Sequence, residues 1–425
     1  MTVSTNPRVV IVGAGFGGLK AARILGKSGI EVLLIDRNNY HTFVPLLYQV
    51  AVAQIKPEQI AYPLRRILRR LSHSRFLMAE VRKIDFEHQI LETGGSPIPY
   101  DFLILATGSQ SQFLGVSGAS EYTLPMRTLE EAIAVRNHIL WCFEQAVREP
   151  ELHRRQQLLS FVIVGGGPTG VELAGGLIEL IQDSLRQDYP TLDWQQVQVI
   201  LLQSGECLLV DLPKGLGNYT QKHLRKLGVK VHLQTRVSQV TQNTVHLEDG
   251  STILAQTIIW TAGMEAATPT TSRQLSIAGK GKLVVEPTLQ LPEQSQVYVI
   301  GDLAYVEQDG QSLTGVAPEA IQQGAAVAQN IKRQLRGKKP RSFDYFNKGR
   351  AAIIARNAGV AQIGKLTFRG FFAWLLWLAI HLFYLPGWRN RLAVLTNWVY
   401  DYLFRDRSFP QILPKQLPFW QKNID

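Results

Sequence analysis

At 425 residues the chain is longer than one ordinary hydrophobic core requires and long enough for two or three domains. Its two cysteines, Cys142 and Cys207, stand in neither a C-x-x-C nor a metal-ligand spacing, which argues against a disulfide framework, a zinc site and a dithiol redox centre. The formal charge of +11 does not point to nucleic acid, because residues 331–425 hold 17 Lys/Arg against 4 Asp/Glu while residues 1–330 hold 28 against 30. The basic tail also carries five of the eight tryptophans, a composition suited to an anionic membrane surface.

The opening MTVSTNPRVVIVGAG has no charged n-region, apolar h-region or small-residue cleavage site, so secretory export is not expected. Residues 8–12 are apolar and β-branched, 13–18 form a Gly-rich turn, 19–27 look helical and 31–35 are apolar again, which predicts a βαβ unit. Residues 100–108 (YDFLILATG) read as a buried strand ending in a Thr-Gly turn. The same order recurs over residues 159–203, with FVIVG as strand, GGGPTG as turn, VELAGGLIELIQDSL as helix and VQVILLQ as second strand. Residues 257–263 (TIIWTAG) repeat the strand-to-turn ending, so the duplication extends beyond the glycines. A third apolar strand ends in Gly301-Asp302, a helix-like stretch follows over 318–335, and the run GKKPRS from Gly337 marks a boundary.

Gly13, Gly15 and Gly18 complete G-x-G-x-x-G between strand and helix. That spacing permits a tight turn, close approach of a pyrophosphate and close helix packing, with the helix N-terminus facing the phosphates. Asp36 ends the following strand, where a carboxylate accepts hydrogen bonds from ribose hydroxyls. Gly165, Gly167 and Gly170 repeat the motif, but Gln203 stands at the equivalent strand end. A carboxylate there would hold the ribose diol of NADH and repel a 2′-phosphate, whereas neutral Gln203 followed by Ser204 removes the repulsion and admits NADPH. Gln203 also suits a plain ribose, and no arginine follows to grip a phosphate, so both cofactors stay open. Glu172, two residues past the last glycine, reads from its position as a carboxylate favourably placed in a helix first turn. His41 reads more simply as a hydrogen-bonded structural residue than as a proton relay. Hydride transfer between dinucleotides needs stacked rings and excluded water, not a nucleophile, so both cysteines read as small apolar residues.

Residues 371–385 (FFAWLLWLAIHLFYL) contain no Lys, Arg, Asp or Glu but are shorter than the roughly 20 residues a helix needs to span a bilayer, so the segment is expected in the membrane interface. Pro386-Gly387 breaks it. Beyond the break Leu392, Leu395, Val399 and Tyr402 share one helical face while Thr396, Asn397 and Asp401 interrupt the rest, which predicts an amphipathic second helix. Lys365, Arg369, Arg389, Arg391, Arg405 and Arg407 would reach toward anionic head groups, with Trp374, Trp377, Trp388 and Trp398 at the boundary. The alternative is that these helices pack on the protein's own core or form a homodimer interface, and the two readings can coexist.

Two dinucleotide motifs followed by Gly301-Asp302 resemble the two-dinucleotide-binding flavoprotein superfamily over residues 1–335. Within it, residues 40–52 (YHTFVPLLYQVAV), the unit GGGPTGVELAG, the strand end IIWTAGM and the stretch APEAIQQG at 317–324 look like type II NAD(P)H:quinone oxidoreductases. The resemblance implies an α/β fold with two Rossmann-like dinucleotide-binding domains, glutathione-reductase-like, and a C-terminal amphipathic helical membrane-anchoring segment. FAD would bind residues 1–115 and 281–335, NAD(P)H residues 116–280, and the membrane residues 336–425. FAD is then the cofactor, NADPH or NADH the co-substrate and a membrane quinone the acceptor, without metal and without proton pumping.

The cofactor-binding residues implied are Gly13, Gly15, Phe16, Gly17, Gly18, Asp36, Arg37, Ala106, Thr107, Gly108, Gly165, Gly167, Gly170, Glu172, Gln203, Gly263, Gly301, Asp302 and Ala317, with Glu172 and Gln322 catalytic. Asp302 would bond the ribityl or phosphate region of FAD, and residues 317–323 would lie against the isoalloxazine and the quinone entrance. Pro318 departs from the family's common Ala-Gln start of that stretch. Plant and cyanobacterial-type members that use plastoquinone or naphthoquinone, including ones linked to phylloquinone formation, resemble the chain best. That implies a peripheral, monotopic protein on the cytoplasmic side of a plasma or thylakoid membrane. The lack of a cysteine pair sets the chain apart from disulfide reductases and sulfide-oxidising quinone reductases. A soluble reductase with another acceptor and an NADH/NAD redox sensor are the rival readings.

Overall fold

The structure, a computed structural model, describes residues 7–407 and 409–412; the polar lead at 1–6 and the end of the expected 336–425 region lie outside the described residues. Contacts divide the chain into two units, one of Met1–Thr42, Tyr62–Gln110 and Met264–Lys348, the other of Phe43–Ala61, Ser111–Gly263 and Gly349–Asp425.

In the first unit a six-stranded sheet runs Gln290–Leu291, Gln294–Val299, Phe102–Leu105, Arg8–Val12, Glu31–Asp36, Ser74–Met78, parallel except for its outermost pair. Register sets Val12 level with Ile35 on one side and Leu105 on the other, so three strands end together beside the first glycine turn. A largely parallel sheet must be covered on both faces, and alternate residues divide between them. Val9, Ile11, Leu34 and Ile104 pack with residues of the helices Phe16–Gly26 and Ala317–Gln334, while Val10, Val12, Ile35 and Leu105 pack with Ile84, Leu91 and Ile98 of a small antiparallel sheet. This double cover is why the strands read as unbroken apolar runs.

In the second unit the sheet runs Leu124–Pro125, Thr257–Trp260, Ser160–Val164, Gln198–Leu202, Lys230–His232, parallel throughout. The helix Leu129–Arg148 opens on a reciprocal cap in which the Thr128 hydroxyl accepts from the Glu131 N–H and the Glu131 carboxylate accepts from the Thr128 N–H. The helix Pro168–Glu179 widens into a π-turn over Leu180–Leu185, a distortion frequent at functional sites. Residues 43–61 belong to this unit, and every residue of their helix Leu47–Ala51 is buried.

Ahead of the tail helices stand three strands that the sequence pattern does not announce. Arg350–Ala355, Ala358–Ile363 and Leu366–Gly370 form an antiparallel meander whose first turn holds Asn357 at a left-handed φ of 60°. The helices Phe371–Tyr384 and Trp388–Phe404 follow, parted at Pro386-Gly387 as expected. Among the described residues no helix is long and apolar enough to cross a membrane.

Two expectations for this tail are corrected. Trp388 is 73% exposed, but Trp377 is wholly buried and Trp398 nearly so, not at a lipid boundary. Trp377 stacks on His381 at 3.8 Å and meets Tyr48 edge-on, and the Trp398 indole donates to Gln49 Oε1 at 2.9 Å. A helix apolar all round must give one face to the protein before another is left for solvent or lipid. Arg407 likewise does not reach outward; it is buried between Glu179 and Asp401.

Candidate active site

The first glycine turn is shaped by what its backbone must avoid. Gly13 adopts φ +104°, and a Cβ there would run into the Ala106 carbonyl. Gly18 packs on the Gly13 carbonyl in the same way, and Gly17 lies against Ile300 and Ala320. Gly15 instead faces open space, and no side chain caps the helix that follows it. An uncapped helix N-terminus beside an open glycine is a cradle that a pyrophosphate fits, its negative charge meeting the helix dipole.

Asp36, half-buried, accepts from the Ala14 N–H at 2.7 Å and the Asn38 N–H at 2.8 Å. Burial raises its carboxyl above the ordinary value while those two bonds pull it back. Arg37 beside it is exposed. Phe16 meets the His41 ring edge-on at 5.0 Å, and His41 is hydrogen-bonded to the Ala14 carbonyl at 2.9 Å. Burial pushes His41 down to about 4, which keeps it neutral, so its ring N–H is the donor and its role is to brace the turn.

The same unit gathers the remaining residues expected around FAD. Thr107 donates its hydroxyl to the Ala267 carbonyl at 2.7 Å, and the Gly108 carbonyl accepts from the Ala267 N–H at 3.0 Å. Ser109 donates to Asp302 Oδ2 at 2.6 Å, and Gly301 takes φ +73° with its N–H held by Gln323 Oε1 at 2.6 Å. Ala317 opens the helix Ala317–Gln334, where Pro318 sits in the first turn and needs no N–H. That accounts for the proline departure without distorting the helix.

Gln322 spends both ends of its carboxamide on the Phe346 backbone, at 2.9 and 3.0 Å. Its neighbour Gln323 is buried and serves Gly301. The sequence expectation favours Gln322 for the quinone, whereas the member of this pair that reaches the Gly301-Asp302 turn is Gln323. The helical spacing of Ala320, Gln323, Gly324 and Val327, all buried, is the signal that separates the two.

In the second unit the arrangement repeats. Gly165 takes φ +116° with a Cβ position blocked by Thr261 and Ala262, Gly170 packs on the Gly165 carbonyl, and Gly167 faces open space at another helix start without a side-chain cap. Gly263, at φ +74°, ends the Thr-Ala-Gly turn against Gln112. Gln203 Oε1 accepts from the Gly166 N–H at 2.9 Å, the counterpart of Asp36 on Ala14. One residue position thus ties the turn in both units, with a carboxylate in the first and a neutral amide in the second.

Glu172 lies buried on the helix Pro168–Glu179. Its Oε1 accepts from the Ile353 N–H at 3.3 Å, and the Trp377 indole approaches without reaching hydrogen-bonding geometry. Burial pushes the carboxyl up to about 8, with Ile353 and Trp377 holding it back. It lines a cavity of about 370 Å³ shared with Tyr48, Gln49, Gln54, Asp401 and Arg407, and with apolar side chains of both tail helices such as Trp374, Leu378, Leu395 and Val399. Gln49 Nε2 donates to the Tyr48 hydroxyl at 3.0 Å, leaving that hydroxyl its own proton to offer. Sequence reasoning names Glu172 as a site residue, and Asp401 and Arg407 only as outward-facing groups of the tail. Cys142 is buried with its thiol pushed up to about 12 by desolvation, which makes it inert.

Known proteins resemble this chain in sequence and in fold. The pyridine nucleotide-disulphide oxidoreductase family model matches residues 7–324. The type II NADH:quinone oxidoreductase Ndh of Mycobacterium tuberculosis is 37% identical over 424 residues, covering 96% of this chain and 91% of the relative. The type II NADH:quinone oxidoreductase NdhA of the same organism is 38% identical, covering 96% and 89%. In fold, the chain is similar to the solved NDH2 of Plasmodium falciparum in complex with NADH, with a TM-score of 0.87 at 18% identity over 94% of this chain and 99% of that one.

Proposed function

The chain belongs to the pyridine nucleotide-disulphide oxidoreductase family and, within it, to the type II NADH:quinone oxidoreductases, and from that premise we propose how its residues divide the reaction. FAD sits on the turn at residues 13–18, the nicotinamide dinucleotide on the turn at 165–170, and a membrane quinone enters the cavity beside Glu172. When bound, FAD supplies the redox chemistry, taking the hydride of NADH and handing the electron pair to the quinone. Asp36 orients the ribose of FAD, and the helix N-terminus after Gly15 holds its pyrophosphate. Asp302, tied by Ser109, contacts the flavin side. Glu172 keeps a proton near neutral pH in the cavity where a quinone oxygen must collect one.

The observation that carries this reading is the cavity itself, apolar along the tail helices and lined by the buried carboxyl of Glu172. Anaerobic stopped-flow mixing tests it: NADH should bleach the flavin, and a naphthoquinone or plastoquinone analogue should restore its colour rapidly. Both belong to the quinone class proposed here, and their relative rates identify which is used. Reduced flavin that neither quinone reoxidises would sink the acceptor assignment and bring forward the soluble-reductase and sensor readings.

We also propose that NADPH serves alongside NADH. Gln203 occupies the ribose-reading position without charge, and its Oε1 is engaged by Gly166, which leaves the amide N–H groups as donors. Gln203→Glu should keep the bond from the Gly166 N–H, as Asp36 keeps its own, while repelling a 2′-phosphate. The ratio of kcat/KM for NADH over NADPH is expected to rise about tenfold or more. An unchanged ratio would remove Gln203 from donor choice.

The tail helices are proposed as a monotopic anchor on the cytoplasmic leaflet. Phe372, Phe383, Trp388, Leu403 and Phe404, all on the two tail helices or the turn between them, are each more than 60% exposed, more large apolar surface than a water-facing helix pair ordinarily shows. Arg389, Arg391 and Arg405 stand exposed or half-exposed among them. Replacing Phe372, Trp388 and Leu403 together by Ser should abolish co-flotation with anionic vesicles while the flavin stays bound. Undiminished flotation would assign this face elsewhere, and a wild-type homodimer broken by the same changes would assign it to a second copy.

A further inference from the structure

The cavity that ends on Glu172 holds a second buried carboxyl. The helix Trp388–Phe404 turns Val394, Trp398 and Asp401 inward, and Asp401 is only 3% exposed. Its Oδ2 accepts from Arg407 Nη1 at 3.1 Å, while its Oδ1 is buried and, among the described residues, meets no donor in hydrogen-bonding geometry. A buried acceptor left open on a cavity wall is costly unless a guest or a proton serves it. The remaining neighbours come from every element packed around it. Arg356, from the strand turn, donates to the Asp401 carbonyl at 3.2 Å and pairs with Asp183 of the π-turn at 2.9 Å. Arg407 also pairs with Glu179 at 3.0 Å, and Gln54 lies beside the carboxyl from the segment after the helix Leu47–Ala51.

Reduction of a quinone (Q) balances as NADH + H⁺ + Q → NAD⁺ + QH₂. The hydride carries two electrons and one proton, and the second proton comes from the medium. A Glu172 that gives its proton to a quinone oxygen is left as a buried anion, which must be reprotonated before the next turnover. We propose that Asp401 is the relay that reprotonates Glu172, passing a proton from the medium through cavity water and the Tyr48 hydroxyl that Gln49 orients. The proposal rests on quinone reduction at this cavity. Burial lifts Asp401 to about 6 while Arg407 and Gln54 restrain it, and Glu172 stands at about 8, so transfer from the first to the second runs downhill. The route has a scaffold: Trp398, one turn before Asp401, holds Gln49, which in turn bonds the Tyr48 hydroxyl. About 370 Å³ is room for several waters.

Asp401→Asn keeps the shape and removes the proton. In anaerobic stopped flow the variant should be reduced by NADH and reoxidised once by a short-tail naphthoquinone at wild-type rates, but its steady-state turnover with the two should be about ten- to a hundredfold slower. The wild-type decline in steady-state turnover as pH rises above about 6 should vanish, and high imidazole should restore part of the rate. A protonated-carboxyl band in the redox infrared difference spectrum should also disappear. Asp401→Glu should recover the rate, and Arg407→Gln, which leaves the carboxyl but removes its cation, should move the decline to higher pH. A wild-type steady-state rate and pH profile in Asp401→Asn, or an unmoved profile in Arg407→Gln, would overturn the relay. Wild-type flavin that the quinone cannot reoxidise would instead overturn the reading of the cavity, and the relay with it.

Discussion

Glu172→Gln should slow quinone-driven reoxidation of the flavin about a hundredfold at pH 7 while leaving its reduction by NADH intact. The change keeps the size of the side chain and its acceptor for the Ile353 N–H, so the cavity wall stands and only the proton is lost. In the wild type, the proton that Glu172 itself supplies should be lost to quinone reduction as pH rises past about 8, because the carboxyl then ionises. Stability gives an independent reading of the same group. The folded carboxyl stands well above its ordinary 4.5, so both states are protonated below about 4.5 and the protein is at full stability there with respect to this group. Between about 4.5 and 8 only the unfolded chain ionises freely, and stability drains away with rising pH. The carboxamide of Glu172→Gln cannot ionise, so the variant's melting temperature should exceed the wild type's by more at pH 8 than at pH 5. A gain independent of pH would mean that Glu172 is ionised in the folded protein, and the proton-donor role would fall.

The parts of this molecule legible in sequence are those fixed by backbone geometry. A turn that must bring Gly13 against the Ala106 carbonyl, or Gly165 against Thr261, tolerates no side chain, so the glycines announce themselves by spacing alone. The strands around them, covered on both faces, are equally plain as apolar runs. The equivalence of Asp36 and Gln203 follows from counting along the duplication, and both tie their turns in the way that count implies.

What stays hidden depends on which way a side chain faces. Trp374, Trp377, Trp388 and Trp398 share one composition, yet two are core and one is well exposed, because the partners that bury them come from residues 43–61, hundreds of positions away. Asp401 and Arg407 look like interruptions and fringe charges of a surface helix, and only their ion pair beneath it makes them interior. Gln322 and Gln323 are adjacent and chemically identical, so composition cannot choose between them, though helical phase can.

The assignment of the two turns is open to a direct test. Gly13→Ala is expected to yield protein without flavin, its absorbance near 450 nm relative to 280 nm reduced at least about tenfold. The new methyl meets the Ala106 carbonyl, and φ +104° is strained for any residue with a Cβ. Relief would have to come from the turn moving away from the end of Phe102–Leu105, which carries it out of line with the Phe16–Gly26 helix N-terminus and with Asp36. The second unit keeps its own sheet and its own turn, so the protein should remain folded and should still bind to immobilised adenine dinucleotide. Gly165→Ala is the mirror experiment. Its methyl meets Thr261 and Ala262, so this variant should be purified yellow, be reduced by dithionite, and respond to NADH at least about a hundredfold more slowly than the wild type. A colourless Gly165→Ala protein together with a yellow Gly13→Ala protein would exchange the two sites, and with them the donor-selecting role given to Gln203.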